Sequence, residues 1–191
     1  AQLSADADKQ TGDAQTQYGA ALAQSTLAEV AEEVRDKAQA RTAADAGMRY
    51  AERAITLNPN SAEYHRLLGT LCGQAAGAVG GFGALKYGRC ALDEVNKAVG
   101  LDAKAAMNYV SRGVGNYYLP PMLGGGVELA IQDFEKAISL DARLEEAHLW
   151  LGIALRRAKR NAEAHKAFEK AVALNPARLW AKQQLEKTPL Q

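Results

Sequence analysis

Residues 145–176 read EEAHLWLGIALRRAKRNAEAHKAFEKAVALNP. The spacing predicts two antiparallel helices. In the first, about Glu145 to Ala158, Leu149, Leu151, Ile153, Ala154 and Leu155 supply the apolar faces. Glu145 and Glu146 fall in its first turn, and Arg156, Arg157, Lys159 and Arg160 at its end, each charge where the helix dipole favours it. Gly152 costs a helix about 1 kcal/mol relative to Ala, which argues that a neighbour packs close there. Asn161 is placed to cap the second helix. There Ala164, Phe168, Ala171 and Leu174 recur at three- and four-residue steps and share one face. Asn175-Pro176 ends it, because Pro cannot continue a helix and turns the preceding residue away from helical angles.

The same ending recurs upstream. AERAITLNP closes at Pro59, EVNKAVGLDA at Ala103 and FEKAISLDA at Ala142, so successive endings, counted through to Pro176, lie 44, 39 and 34 residues apart. Repetition at this length predicts stacked helical hairpins, each burying its apolar face against its neighbours. The expected fold is all-α: a right-handed superhelical α-solenoid of about four antiparallel hairpins (19–59, 61–103, 104–142 and 143–176) with a capping helix over 177–187. Residues 1–18 are small and polar and read as a tail or a solvated cap. In the first hairpin, a helix from near Gln17–Ala20 to about Ala40 is expected to turn Leu22, Leu27, Val30, Ala31 and Val34 inward, followed by a helix over about Ala43–Leu57. In the second, long helices over Ser61–Val79 and Phe82–Val99 flank a turn at Gly80-Gly81, and Gly69, Gly73 and Gly77 form a smooth stripe for close packing. In the third, helices end near Tyr118 and restart near Val127, joined by LPPMLGGG. That loop reads as a packing element or a binding element.

Composition narrows the function. A chain of 191 residues with a net charge of +1 and 24% charged residues lacks the basic excess of a protein built to bind nucleic acid. Residues 67–85 are 19 uncharged residues, long enough to raise a membrane span, but six glycines, Thr70 and Gln74 lower their hydrophobicity. Membrane contact is therefore not expected. Cys72 and Cys90 are symmetric about residue 81, so an antiparallel hairpin brings them level; they are either a disulfide in an oxidising compartment or two buried thiols. The start Ala-Gln-Leu-Ser suits a mature end after cleavage at a small residue, which favours a periplasmic or secreted protein over a cytoplasmic one. His65, His148 and His165 have no neighbours at metal-ligand spacing and fall at positions that suit the surface or a groove. GAVGGFG lacks the G-K-[ST] of a phosphate loop. No catalytic constellation, metal site or cofactor is expected.

The helix pairs resemble tetratricopeptide repeats (TPR) from about residue 25 to 187, most closely in 145–176 with Leu151-Gly152, Leu155, Ala164, Phe168, Ala171 and Pro176. The resemblance implies a non-catalytic scaffold that holds a protein segment in a concave groove formed by the first helix of each hairpin. Carried onto this sequence, the groove is lined by Arg66, with Glu63, Thr70 and Gln74, in the second hairpin. The third contributes Met107, Val110, Val114, Tyr117 and Tyr118, and the last Glu146, Leu149, Ile153 and Arg156. Chaperone-binding members clamp a terminal carboxylate with Lys and Asn; Val110, Val114, Leu149 and Ile153 stand here instead, implying an apolar groove with aromatic edges. The long-helix insertion and the PPMLGGG loop are similar to irregular bacterial repeats, among them the T component of certain periplasmic transporters and the regulator-of-microtubule-dynamics-like group. Protein partners are therefore expected, with homo-oligomer, filament or complex assembly as further forms. The alternative is a periplasmic transport accessory handling a small apolar ligand.

Overall fold

The computed structural model describes residues 2–79 and 81–189, apart from the side chains of Glu33 and Phe82. Its helices are α1 (Gln2–Lys9), α2 (Ala14–Glu33), α3 (Lys37–Leu57), α4 (Ala62–Val79), α5 (Gly81–Leu101), α6 (Ala106–Tyr118), α7 (Val127–Leu140), α8 (Glu145–Arg157), α9 (Asn161–Leu174) and α10 (Leu179–Glu186). Among the described residues there is no strand. Consecutive helices pair as α2–α3, α4–α5, α6–α7 and α8–α9, and α10 trails against α9. The architecture is that of an all-α helical repeat. It divides into two compact units, Ala1–Asp102 and Ala103–Gln191.

Each later hairpin is held by one close approach. Gly69 of α4, Gly113 of α6 and Gly152 of α8 stand at the same place in successive repeats. A Cβ on Gly69 would lie 2.6 Å from Val95 of α5, one on Gly113 2.5 Å from the Phe134 ring of α7, and one on Gly152 2.6 Å from the Phe168 ring of α9. The missing side chain of one helix is the seat for a large side chain of the other, and Phe134 and Phe168 are fully buried there. Of the expected glycine stripe, only Gly69 has this role; Gly73 faces open space, and Gly77 meets only the Glu32 carboxylate at ordinary distance.

A second device repeats in the same register. Six residues after each of the first three repeat endings, a buried side chain donates back to the carbonyl of that ending: His65 Nε2 to Pro59 O at 3.0 Å, Tyr109 Oη to Ala103 O at 3.2 Å and His148 Nε2 to Ala142 O at 3.1 Å. A carbonyl can only accept, so Nε2 carries the proton in both histidines. His65 also sets Nδ1 2.6 Å from Glu94 of α5. Thus His65 and His148 are buried junction pins and not surface or groove residues, because an unpaired carbonyl at a packed junction would be costly.

The polar leader is helical over Gln2–Lys9, and Gln17 Nε2 donates to Ala7 O at 2.6 Å, tying α1 to α2. Beyond its leader, the N-terminal unit departs from the sequence expectation in two ways. The first long helix stops at Glu33, seven residues before Ala40: Arg35 takes φ 62°, and the Asp36 carboxylate caps α3 by accepting from Gln39 N. Finally, α2 buries Ala20, Ala21, Ala28 and Ala31, while Leu22, Leu27, Val30 and Val34 are exposed. Alanine allows closer helix packing than leucine, and α2 must fit against both α3 and α4. One core cluster there is correspondingly small, Ala28, Ala43, Ala44 and Ala75 with Met48 and Tyr87 against them, while the larger one adds Leu67, Leu68 and Leu71 of α4.

Tyrosines supply what the alanines do not. Tyr18 of α2 stacks on Tyr64 of α4 at 5.1 Å and donates to Glu63 Oε1 at 2.5 Å. Burial, and then that bond to Glu63, push the Tyr18 phenol up to about 12. Tyr50 of α3 donates to Asp8 Oδ1 of α1 at 3.2 Å. Cys72 of α4 and Cys90 of α5 are joined by a disulfide, with Cα atoms 5.9 Å apart. Gly81 opens α5 at φ 55°, and its expected turn partner Gly80 lies outside the described residues.

The expected outcome at the glycine seats is specific. Gly113→Ala and Gly152→Ala should each destabilise by about 1–3 kcal/mol through overpacking. Gly73→Ala, in open helix, should stabilise by roughly 0.5–1 kcal/mol. Urea unfolding of the three variants measures both signs; three equal shifts would refute the seat.

Candidate functional site

The C-terminal unit gathers the aromatic residues. Pro120-Pro121 ends α6 by holding Leu119 in an extended conformation, φ −81° and ψ 129°. The chain then makes a 3-10 turn over Pro121–Leu123 and two left-handed glycines, Gly124 at φ 88° and Gly126 at φ 130°. Gly126 N–H donates to Asn116 O at 2.8 Å, which returns the loop to α6. Its base is packed as a structural element, while Met122 and Leu123 at its crest are exposed.

Beneath the loop lies an ion pair. Asp133 of α7 is buried. It accepts Arg112 Nη2 on Oδ1 at 2.5 Å, Arg112 Nε on Oδ2 at 3.0 Å and Asn116 Nδ2 on Oδ2 at 2.8 Å. The bond to Asp133 raises the proton affinity of the Arg112 guanidinium, whose carbon also lies 5.1 Å from the Tyr109 ring centre. One bidentate arginine and one amide thus satisfy a carboxylate that could not be buried alone. The sequence reading passed over all three residues; an Arg and an Asn four residues apart on one helix, with an Asp facing them, was the available signal.

Above this base the rings meet. Tyr117 and Tyr118 end α6, Trp150 stands on α8 and Trp180 on α10. Trp150 contacts Tyr117 at 6.0 Å, Tyr118 at 6.2 Å and Trp180 at 5.6 Å, all edge-to-face, and stacks on Phe134 at 6.3 Å. Such pairs carry energy beyond the area they bury. Arg157 lies 4.7 Å over the Tyr117 ring and donates to Tyr117 O at 2.8 Å. Tyr118 remains 68% exposed.

The expected groove is only partly assembled. Val110, Leu149 and Ile153 are buried and belong to the core, because the helices present a line one residue further on, through Trp150 and Arg157. Met107, Val114 and Tyr117 are half-buried and Tyr118 is exposed. Glu146 lies on the same helix as Trp150, in the first turn of α8. Arg156 is engaged by α10: Nη1 donates to Thr188 Oγ1 at 3.1 Å and Nη2 to Gln184 Oε1. Arg66 belongs to the N-terminal unit, where it stands 4.0 Å from Glu63. Trp150 and Trp180 are functional candidates that the regular groove pattern missed. Among the described residues, no group of His, Cys, Asp and Glu could hold a metal ion, and no helix is long and apolar enough to cross a membrane.

Paired helices with glycine seats define a helical repeat protein of the tetratricopeptide type, and residues 145–178 match the tetratricopeptide repeat itself. Residues 2–119 match the family described as regulator of microtubule dynamics protein 1-3, and the chain belongs to that family. Among solved structures, it is similar to a thermophilic TPR protein of Thermus thermophilus, with TM-score 0.71, 15% identity, and coverage of 96% of this chain and 85% of that one. MamA gives TM-score 0.56 at 22% identity, with 78% and 79% covered. At these identities the likeness is one of fold. No curated protein matches the chain.

Removing the arginine beneath the loop isolates a buried charge. Arg112→Met should cost about 2 kcal/mol, a figure reduced from the 3–5 kcal/mol of a fully buried pair because Arg112 is partly exposed. Arg112→Met with Asp133→Leu should recover most of it. A double variant less stable than the single one, in denaturant titration, would contradict this account.

Proposed function

We propose that this interaction module is a scaffold or accessory subunit that holds a protein segment on the face built by Tyr117, Tyr118, Trp150 and Trp180. The supporting observation is that three separate helices, α6, α8 and α10, converge their aromatic rings on one place while leaving Tyr118 exposed. Tyr, Trp and Arg dominate the energetic centres of protein interfaces, because they offer large rigid surfaces with a polar edge. Arg157 adds a cation to that edge, and Met122 and Leu123 extend the apolar surface on the same unit.

Capture from the native source tests the reading. Tyr118→Ser with Trp180→Ser removes exposed rings without opening the core. The wild-type bait should retain a stoichiometric protein partner, and the double variant at least tenfold less of it. Equal recovery on both baits would remove this face from consideration.

We also place the protein in an oxidising compartment, the periplasm or the cell exterior. The Cys72–Cys90 bridge supports this, since such bonds persist where thiols are not kept reduced. Protein isolated from its source with thiols blocked at lysis should show no reactive thiol until reduction, then two. Two blocked cysteines before reduction would count against both the bridge and the location.

A further inference from the structure

The C-terminal unit, Ala103–Gln191, is basic, with thirteen Lys and Arg against nine Asp and Glu. Four of those cations, Arg156, Arg157, Lys159 and Arg160, fall within five residues at the end of α8. The helix dipole accounts for positive charge there, but not for where each side chain goes. Arg160 is answered by Glu163, Nη2 to Oε2 at 2.5 Å. Arg156 is held by Gln184 and Thr188 and lies 5.5 Å from the Phe168 ring centre. Arg157 turns instead to the aromatic face. It is exposed, packs over the Tyr117 ring and uses one N–H on Tyr117 O. It makes no ion pair among the described residues. A guanidinium carries five donors in a planar fork that fits a carboxylate, and stacking on a ring fixes that plane.

The same helix sets a distance. Trp150 and Arg157 are seven residues apart on α8, so they share a face and are separated by a rise of about 10 Å. The Tyr117 ring lies between them, 4.7 Å from the guanidinium carbon and 6.0 Å from the Trp150 ring. Glu146 stands one turn before Trp150, so the line runs from an acid through aromatic rings to a cation. Tyr118 of α6 and Trp180 of α10 stand across Trp150 at 77° and 81°, with centres 6.2 and 5.6 Å from it. Walls whose centres are at most about 12 Å apart leave, after the thickness of the rings, less than the roughly 10–12 Å width of a helix. An extended chain, about 5 Å wide in its hydrogen-bonding direction, fits.

We infer that the segment held on the aromatic face is extended and acidic. An apolar residue sits over Trp150 between Tyr118 and Trp180, and an aspartate or glutamate three residues away takes the Arg157 fork. This rests on the proposed role of the face as the holder of a protein segment, and adds the chemistry of that segment. Charge complementarity chooses the occupant: the positive end of α8 attracts an acid and disfavours a basic segment, while Glu146 disfavours the acid at the opposite end. Spacing chooses the register, since an extended chain advances about 3.3 Å per residue and covers the distance in three steps. The carboxylate belongs to a side chain within the segment, so no free chain end is required.

The test pans a phage-displayed library of random twelve-residue peptides on the immobilised full chain, on Arg157→Gln and on Tyr118→Ser with Trp180→Ser. The wild type should enrich peptides in which Trp, Tyr, Phe or Leu stands three residues from Asp or Glu. Arg157→Gln should keep the apolar preference and lose the acidic one, and the ring variant should enrich neither. The most enriched peptide, made with an amidated end and a fluorophore, should bind the wild type at least tenfold more tightly than Arg157→Gln in anisotropy. Arg157→Lys should not restore binding, because an ammonium lacks the fork, and Arg160→Gln should leave it unchanged. Asn in place of the peptide's acid should weaken binding to the wild type by a similar factor and have no effect with Arg157→Gln. Enriched peptides without an acid, an acid at no fixed spacing, or an acid preference that survives Arg157→Gln would overturn this inference and leave the face as a binding site. Enrichment indifferent to the ring variant, or none at all, would overturn the role of the face as well.

Discussion

The contact on which the rest depends is the seating of one large side chain against a glycine on the facing helix. Val95 on Gly69, Phe134 on Gly113 and Phe168 on Gly152 bring the paired backbones closer than any other residue would permit. Protein interiors pack at crystal-like density, so a seat of this kind fixes both the separation and the register of a pair. Register then decides what each helix shows to water. Because Gly152 is held against Phe168, Leu149 and Ile153 must turn inward and Trp150 must turn toward Tyr117 and Trp180. The aromatic face is in this sense a by-product of the seat.

The two units reach stability by different routes. The C-terminal unit fills its hairpins with phenylalanine and tryptophan and neutralises one buried carboxylate with Arg112 and Asn116. The N-terminal unit packs Leu67, Leu68 and Leu71 of α4 with tyrosines, lines the α2 seam with alanines, and adds polar crosslinks: Tyr18 to Glu63, Tyr50 to Asp8, Ser25 to Gln74, and the covalent bond between Cys72 and Cys90. Alanine cores bring helices close but remove little apolar area from water. Along the α2 seam, directional bonds therefore specify a larger share of the packing.

How far the sequence could be read follows from these differences. The limits of α8 and α9 were legible to within a residue because charge, apolar spacing and a terminal proline agree there. The α2–α3 boundary was not, because Asp36 capping and a left-handed Arg35 interrupt a run with no glycine or proline to mark it. The inward stripe of α2 was misassigned except at Ala31, because hydrophobicity favoured Leu and Val, whereas close packing selected the alanines between them. Of the residues expected to line a groove, Val110, Leu149 and Ile153 are buried, because a helical step of 3.6 lets a four-residue line drift and Glu146 fits either Leu149 or Trp150 as its successor. The junction pins were visible in principle: His65, Tyr109 and His148 keep the 44- and 39-residue spacing of the repeat endings. They differ in type, and only donor geometry reveals that they do one job.

The seats also show where these repeats can grow. The pin follows each of the first three endings by the same interval, and the glycine follows each pin by four residues. Their partners Val95, Phe134 and Phe168 each precede the next ending by the same distance. All variation in repeat length therefore lies between glycine and partner, at the far end of the hairpin: a longer, disulfide-stitched helix pair in one repeat, a Pro-Gly loop in the next, a bare turn in the last. A chain arranged this way can accept new segments at its hairpin ends without disturbing the stacking below. Those ends are natural sites for evolutionary elaboration and for grafting.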